Sequence, residues 1–174
     1  MYLLHNFSPA RLETYLALSH EFFQSAGASD QTIRAIFEKS PEAFYLLYAG
    51  DAPVGDNTPA VGIVCLLAIT ADTVKALEQN QINGAQFTPA NVVRYQDACG
   101  CYYLGAVGAI GTEPRGATRE LVLGKLLELK RGEIIRTYAR PINPNGLRFL
   151  QRLNFVPTLP SSADPIDHIH VLQL

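Results

Sequence analysis

The chain has 174 residues, of which 48% are hydrophobic and 17% are charged, and its formal net charge is −2. This length and composition predict one compact domain with a substantial core and exclude a disordered chain. A slightly acidic chain is a poor match for nucleic acid or an anionic membrane as its main partner, because both attract basic surfaces.

No apolar run is long enough to span a membrane, and the N-terminus lacks the basic start and continuous apolar stretch of a signal peptide. The three cysteines, Cys65, Cys99 and Cys101, are an odd number and do not suggest a disulfide framework. We therefore expect a cytoplasmic location.

The first 98 residues predict three helices and three strands. Residues 50–59 are dense in turn formers, so the two apolar strands that flank them are expected to pair antiparallel. The expected strands are Tyr2 to Phe7, Ala43 to Ala49 and Val61 to Ile69, and the expected helices are Ser8 to Gln24, Ser29 or Asp30 to Ser40, and Ala71 to Gln79.

The second half predicts a strand–helix–strand unit followed by a capped helix and two short strands. Glycines along the first strand indicate a bulge or a close approach of the backbone. The expected elements are a strand from Cys99 to Gly111, a helix after Gly116, a strand from Ile134 to Ala139, a helix capped by Asn143, and strands at residues 155–157 and 166–172.

The turn between Ile110 and the following helix is a candidate anion site. Amide groups at the start of a helix have no partner within it, and the helix dipole favours negative charge there. Arg115 and Arg119 place cations beside this turn. The sequence therefore predicts a ligand that carries phosphate.

Two segments resemble motifs of the GNAT superfamily of acyl-CoA-dependent N-acyltransferases. One family motif reads apolar, any, Pro, two of any, Arg-Gly, any, Gly, any, Gly or Ala, and this chain offers Ile110-Gly-Thr-Glu-Pro-Arg-Gly-Ala-Thr-Arg-Glu120. The other runs from an Asn to a Gly-Phe pair, and this chain offers Asn143 to Phe155. The resemblance is specific over about residues 100 to 157 and implies a mixed, mostly antiparallel α/β sheet with helices on both faces.

The resemblance implies acetyl-CoA or another acyl-CoA as co-substrate. The amides of residues 115–120 would hold its pyrophosphate, the backbone of residues 107–110 would pair with its pantetheine arm, and Asn143 would face it. The implied binding residues are Val107, Ala109, Ile110, Arg115, Gly116, Ala117, Thr118, Arg119, Glu120 and Asn143.

Five positions depart from the family pattern. Thr112 stands where the family has proline, although Pro114 lies two residues on, and Asn154 replaces the glycine before Phe155, a mild change because Asn tolerates the left-handed conformation. Thr118 and Glu120 replace glycines, and the Glu120 carboxylate points either away along the helix or inward, where it would repel phosphate. Leu150 replaces the tyrosine that, in the family, protonates the departing thiolate. Tyr103 and Tyr138 are the candidate proton donors in its place.

We expect a single domain over residues 1–174, with residues 1–98 on the acceptor side, residues 99–157 binding acyl-CoA and residues 158–174 adding a C-terminal strand. The expected activity is acyl transfer, of acetyl or a similar group, to a small-molecule or peptide amine. The alternatives are a non-catalytic acyl-CoA-binding or regulatory protein, and an interaction domain without CoA. Homodimers are common in the family.

Two pairs of residues, each separated by one position, are candidate metal ligands. Cys99 with Cys101, and His168 with His170, each share one face of an expected strand, but the cysteines have no further ligand nearby in sequence. We therefore predict buried cysteines, histidines on an edge or solvent-facing strand, and no metal site.

Overall fold

The computed structural model describes residues 1–50, 58–130, 132–158 and 165–174, so most of the predicted loop at residues 50–59 lies outside the described residues. The strands are β1 (Tyr2–Asn6), β2 (Phe44–Ala49), β3 (Ala60–Ile69), β4 (Val92–Val93), β5 (Cys101–Ala109), β6 (Arg136–Ala139), β7 (Val156–Pro157) and β8 (His170–Gln173). The α-helices are α1 (Leu12–Phe23), α2 (Asp30–Lys39), α3 (Ala71–Glu78), α4 (Thr112–Lys130) and α5 (Pro144–Arg152).

One sheet contains all eight strands, in the order β1-β2-β3-β5-β6-β8-β7, with β4 paired to the end of β3. The pair formed by β5 and β6 is parallel, and the other pairs are antiparallel. The expected mixed, mostly antiparallel sheet is confirmed, as is the antiparallel pairing of β2 with β3.

Helices cover both faces of this sheet, and each face has its own apolar core. Residues of α1, α2 and α3, among them Tyr15, Ile36 and Leu77, pack with one face. Residues of α4 and α5, among them Leu126 and Leu150, pack with the other. A two-sided sheet explains why β2 and β3 are apolar almost throughout rather than alternating.

Several helix ends follow directly from local chemistry. The Ser29 hydroxyl accepts a hydrogen bond from the Thr32 amide at 3.2 Å, which caps α2. The Asn143 side chain accepts one from the Gly146 amide at 2.8 Å, which caps α5. Asn154, with φ 64, has the left-handed conformation expected after α5. These predicted ends are confirmed.

The start of α4 was predicted wrongly. The helix begins at Thr112 rather than after Gly116. Gly111, with φ +85, turns the chain, and Glu113 in the first turn suits the positive end of the helix dipole. Pro114 fits this turn because an amide there would have no partner.

The two spaced pairs also differ from expectation. Cys99 is exposed and precedes β5, and Gly100, with φ +76, turns the chain between it and Cys101. His170 is buried rather than solvent-facing, because β8 lies between β6 and β7. Among the described residues, no three or more His, Cys, Asp or Glu side chains come close enough together to hold a metal ion.

Within the described ranges, none of the helices combines the length and the apolar character that crossing a membrane requires.

Candidate active site

A deep cleft opens where β5 and β6 separate. The two strands pair from Cys101 opposite Arg136 to Leu104 opposite Ala139, and β5 then continues to Ala109 paired with β3 but no longer with β6. The cleft has a volume of about 830 Å³, and its walls come from α1, α4, α5 and the segment that follows β6.

A β-bulge lies at the inner end of this cleft. Cys65 of β3 pairs with Ala106 and Leu66 pairs with Leu104, so Gly105 has no partner on β3. The bulge predicted from the spacing of glycines in β5 is therefore confirmed at Gly105.

Beyond the bulge, one edge of β5 faces the cleft instead of another strand. The Ile110 amide donates to the Val61 carbonyl of β3 at 2.8 Å. Because strand residues alternate in the direction of their backbone groups, the N–H and C=O groups of Val107 and Ala109 point the other way, into the cleft. A ligand that carries amide groups can pair with such an edge as an added strand.

Arg115 links the free edge of β5 to α4. Its Nε donates a hydrogen bond to the Ala109 carbonyl at 3.2 Å. This bond directs the base of the guanidinium group toward the end of the strand and keeps the side chain at the mouth of the cleft, where Arg115 is one of the lining residues.

The cleft is strongly cationic although the whole chain is slightly acidic. Among the described residues, five arginines line it, against a single carboxylate, Glu120. The Glu120 side chain is 78% exposed, and its Oε1 lies 3.8 Å from Arg119 Nη2. Its charge is therefore solvated and partly balanced. The five lining arginines are Arg115, Arg119, Arg140, Arg148 and Arg152.

The early start of α4 changes which groups can bind an anion. The amides of Gly116 to Glu120 lie within the helix, where each points back toward a carbonyl four residues earlier. They do not form the expected open cradle, so the anion donors that line this cleft are the arginine side chains. Thr118 is buried, and its hydroxyl donates to the Pro114 carbonyl at 2.6 Å.

The structure brings most of the predicted binding residues together and leaves out two. The residues in the cleft wall are Val107, Ala109, Arg115, Gly116, Thr118, Arg119, Glu120 and Asn143. Ile110 and Ala117 do not line it. Asn143 lies in the wall while its Oδ1 is used as the cap of α5.

The two candidate tyrosines differ in position. Tyr103 lines the cleft, and its hydroxyl oxygen accepts a hydrogen bond from the Gly84 amide at 3.1 Å, which leaves the phenolic proton free to be donated. Burial raises the pKa of Tyr103 to about 12, against the opposing effects of that amide and of Arg140. Tyr138 is not part of the wall, and its hydroxyl donates to Glu78 Oε1 at 2.7 Å.

Leu150, at the position of the family tyrosine, is buried in the cleft wall. Its side chain supplies apolar surface and no proton. Among the described lining residues, Tyr103 is the phenol nearest to the bulge along the chain, two residues from Gly105.

Sequence reasoning missed an apolar part of the cleft. Side chains from α1, α2, β2 and β3 converge on it, and no local motif marks them. The six that define this apolar chamber are Tyr15, Phe22, Ile33, Ile36, Phe44 and Leu67.

No protein-family model matches the sequence, and no curated protein matches it in sequence. Solved structures do match its fold. The loading GNATL domain of CurA from Lyngbya majuscula is similar with a TM-score of 0.67 and 16% identity, over 99% of this chain and 96% of that chain. One chain from the structure of the NatC complex bound to Gag peptide and CoA is similar with a TM-score of 0.61 and 12% identity, over 99% and 97%.

A third similar structure is YhbS from Escherichia coli, a GNAT family N-acetyltransferase in complex with CoA. The TM-score is 0.58 and the identity 14%, over 99% of this chain and 81% of that chain. At these identities the likeness establishes the fold. The chain has the fold of the GNAT superfamily, as the sequence resemblance predicted.

Proposed function

We propose that this protein transfers an acyl group from an acyl-CoA to an amine. The observation that carries the proposal is the continuity of two surfaces in one cleft. A free strand edge that ends at the Gly105 bulge leads outward to a wall with five arginines. CoA has the matching parts, because its pantetheine arm carries amides and its nucleotide end carries phosphates.

Each part of the cleft has a distinct task in this proposal. Arginine side chains bind the phosphates, since planar guanidinium groups bind phosphate oxygens in bidentate geometry. Val107 and Ala109 pair with the pantetheine amides. This placement brings the thioester to the bulge. CoA is bound in the YhbS and NatC structures, which supports the same choice of co-substrate.

The chemistry is direct attack of a neutral amine on the thioester carbonyl. The C–N bond forms, the C–S bond breaks, and the amine loses a proton to water. A cleft-facing N–H beside the bulge donates to the carbonyl oxygen as that oxygen gains charge. The departing thiolate takes a proton, for which Tyr103 is the proposed donor.

The test is to follow thiol release from acyl-CoA over a panel of small-molecule and peptide amines. We expect release that depends on the amine, and a product heavier than the amine by one acyl group. Thiol release no faster than hydrolysis with every amine, together with tight CoA binding, would contradict catalysis.

Tight CoA binding without amine-dependent thiol release would favour a non-catalytic acyl-CoA-binding protein. One observation supports this second candidate: Leu150 replaces a proton donor with an apolar side chain. The same panel of amines determines whether the acceptor is a small molecule or a peptide.

A further inference from the structure

The cleft has two chemically different parts. The wall formed by α4, α5 and the segment after β6 carries the five arginines. The apolar chamber, between α1 and α2 on one side and the sheet on the other, has no charged side chain among its six defining residues. Cys65 of β3 lies beside this chamber, and burial raises the pKa of its thiol to about 12, so the thiol stays neutral.

Small residues leave the chamber open toward the β5 backbone. A Cβ on Gly105 would meet Cys65 Sγ at 3.7 Å, an ordinary contact, so the bulge faces the Cys65 side of the sheet. Ala106 packs with the same core. At Gly108 the ring of Phe22 lies directly on the backbone, because a Cβ there would overlap that ring. Phe22 therefore covers Gly108, while Gly105 and Ala106 line the cleft at the bulge.

The strand geometry directs a long acyl group into this chamber. If the pantetheine arm follows the β5 edge from Ala109 to Val107, its sulfur arrives at the bulge. Beyond the bulge, Leu104 is already opposite Ala139, so the strands leave no space between them for a longer chain. The α4 and α5 face is filled there by Leu104 and Leu150. An acyl chain can leave only on the opposite face, where the chamber lies.

Charge decides between an acyl chain and an amine acceptor as the occupant. An ammonium group inside the chamber would lose its hydration without gaining a counterion from the chamber residues. An aliphatic chain loses no hydrogen bond on entering and gains from leaving water. The chamber is therefore suited to hydrocarbon.

We propose that the acyl donor carries an aliphatic acyl group longer than acetyl, and that this group, rather than the acceptor expected on the side of residues 1–98, occupies the apolar chamber. The proposal rests on the proposed function, because it places the thioester of acyl-CoA at the Gly105 bulge.

The test is calorimetric titration with free CoA and with a series of saturated acyl-CoAs from acetyl to decanoyl. Burying each methylene group is expected to raise the affinity by about fourfold until the chamber is full. Equal or falling affinity from acetyl-CoA onward, with free CoA still bound, would overturn this inference alone. Failure of every member to bind would overturn the proposed function as well.

Two substitutions locate the chain in the chamber. Ala106→Leu adds bulk on the sheet side and Ile33→Phe adds bulk on the helix side, and both are expected to abolish the preference for long acyl groups while free CoA still binds. Free CoA binding also shows that each variant has folded. Ala98→Leu is the control for Ala106→Leu, because it makes the same substitution at a half-buried residue outside the cleft. This control is expected to keep the preference for long acyl groups.

Persistence of the chain-length preference in both Ala106→Leu and Ile33→Phe would overturn the assignment. A second result would also overturn it: an apolar amine binds in the chamber, and the affinity for acyl-CoA does not change with acyl length. The chamber would then be the acceptor site.

Discussion

Arg115 Nε donates a hydrogen bond to the Ala109 carbonyl at 3.2 Å, which joins the first turn of α4 to the last residue of β5. This contact holds a cation at the point where the free strand edge ends. In the proposed complex the same guanidinium reaches the pyrophosphate with its remaining N–H groups. The residue therefore orders the cleft mouth and binds the ligand.

Reversing this charge is expected to weaken CoA binding. Arg115→Glu removes charge-assisted hydrogen bonds and adds repulsion, so we expect a loss of affinity of about tenfold to a hundredfold. Calorimetric titration with CoA measures it. Lys130→Glu, the same reversal at the other end of α4, is the control and is expected to bind CoA as the wild type does. Equal affinities of Arg115→Glu and the wild type would contradict the assignment.

Two glycines of α4 form a matched pair. A Cβ added at Gly116 or at Gly124 would meet no atom within 4 Å, apart from its own helix and nearest neighbours, and Gly116 lines the cleft whereas Gly124 does not. Alanine is expected to stabilise the helix at either position by up to about 1 kcal/mol. Only Gly116→Ala is expected to weaken CoA binding, because its methyl group enters the space of the phosphates. Thermal unfolding and titration of both variants measure the two effects. A fall in affinity for Gly124→Ala alone would contradict this position for the phosphates.

Tyr103 and Tyr138 are opposite each other on β5 and β6, yet only Tyr103 lines the cleft. Tyr103→Phe removes the proposed donor, so we expect kcat to fall by about tenfold to a hundredfold with little change in the affinity for CoA. Tyr138→Phe loses a bond to Glu78 outside the cleft and is expected to lower stability more than kcat. A larger fall in kcat for Tyr138→Phe than for Tyr103→Phe would contradict the role of Tyr103 as proton donor.

Alkaline pH is expected to unfold the protein in part through Tyr103. Burial raises the phenol pKa from an ordinary value of 10 to about 12 in the folded chain. The stability that this shift represents is fully present below pH 10 and is lost as the pH rises through 12. Burial also raises the pKa of the Cys65 thiol, from 9 to about 12, so its contribution to the loss of stability begins at a lower pH, near 9.

The free energy of unfolding, measured by denaturant titration at several pH values, is therefore expected to fall above pH 9. The Tyr103→Phe variant is expected to be less stable at neutral pH, because the Gly84 amide loses its acceptor. Its free energy of unfolding is expected to fall less steeply above pH 10 than that of the wild type. The same slope in the variant and the wild type would show that Tyr103 does not titrate in this range.

Features set by neighbouring residues could be predicted from the sequence. Ser29 and Asn143 have side chains that bond amides three residues ahead, and Asn154 tolerates a left-handed backbone, so the helix ends at these residues were predicted correctly. The start of α4 was not, because an Arg-Gly pair was interpreted as a turn, although Gly111 makes the turn and Glu113 and Pro114 favour helix.

Features that depend on distant residues could not be predicted in the same way. Tyr103 and Tyr138 both lie on strands beside the cleft, and it is the Glu78 carboxylate, 60 residues away in sequence, that holds the Tyr138 hydroxyl elsewhere. The apolar chamber is built by two helices and two strands whose convergence no spacing in the sequence records. His170 is buried because β7, which precedes β8 in the chain, pairs on the outer side of β8.

Titration of the protein with CoA, and with pantetheine as the matched ligand without phosphates, tests the central claim most directly. We expect saturable binding of CoA that weakens as salt is added, since charge interactions in an open cleft are screened. Pantetheine is expected to bind much more weakly, because it leaves the arginine wall without an anion. Absence of heat with CoA at high micromolar concentration, or equal affinities for CoA and pantetheine, would contradict the account.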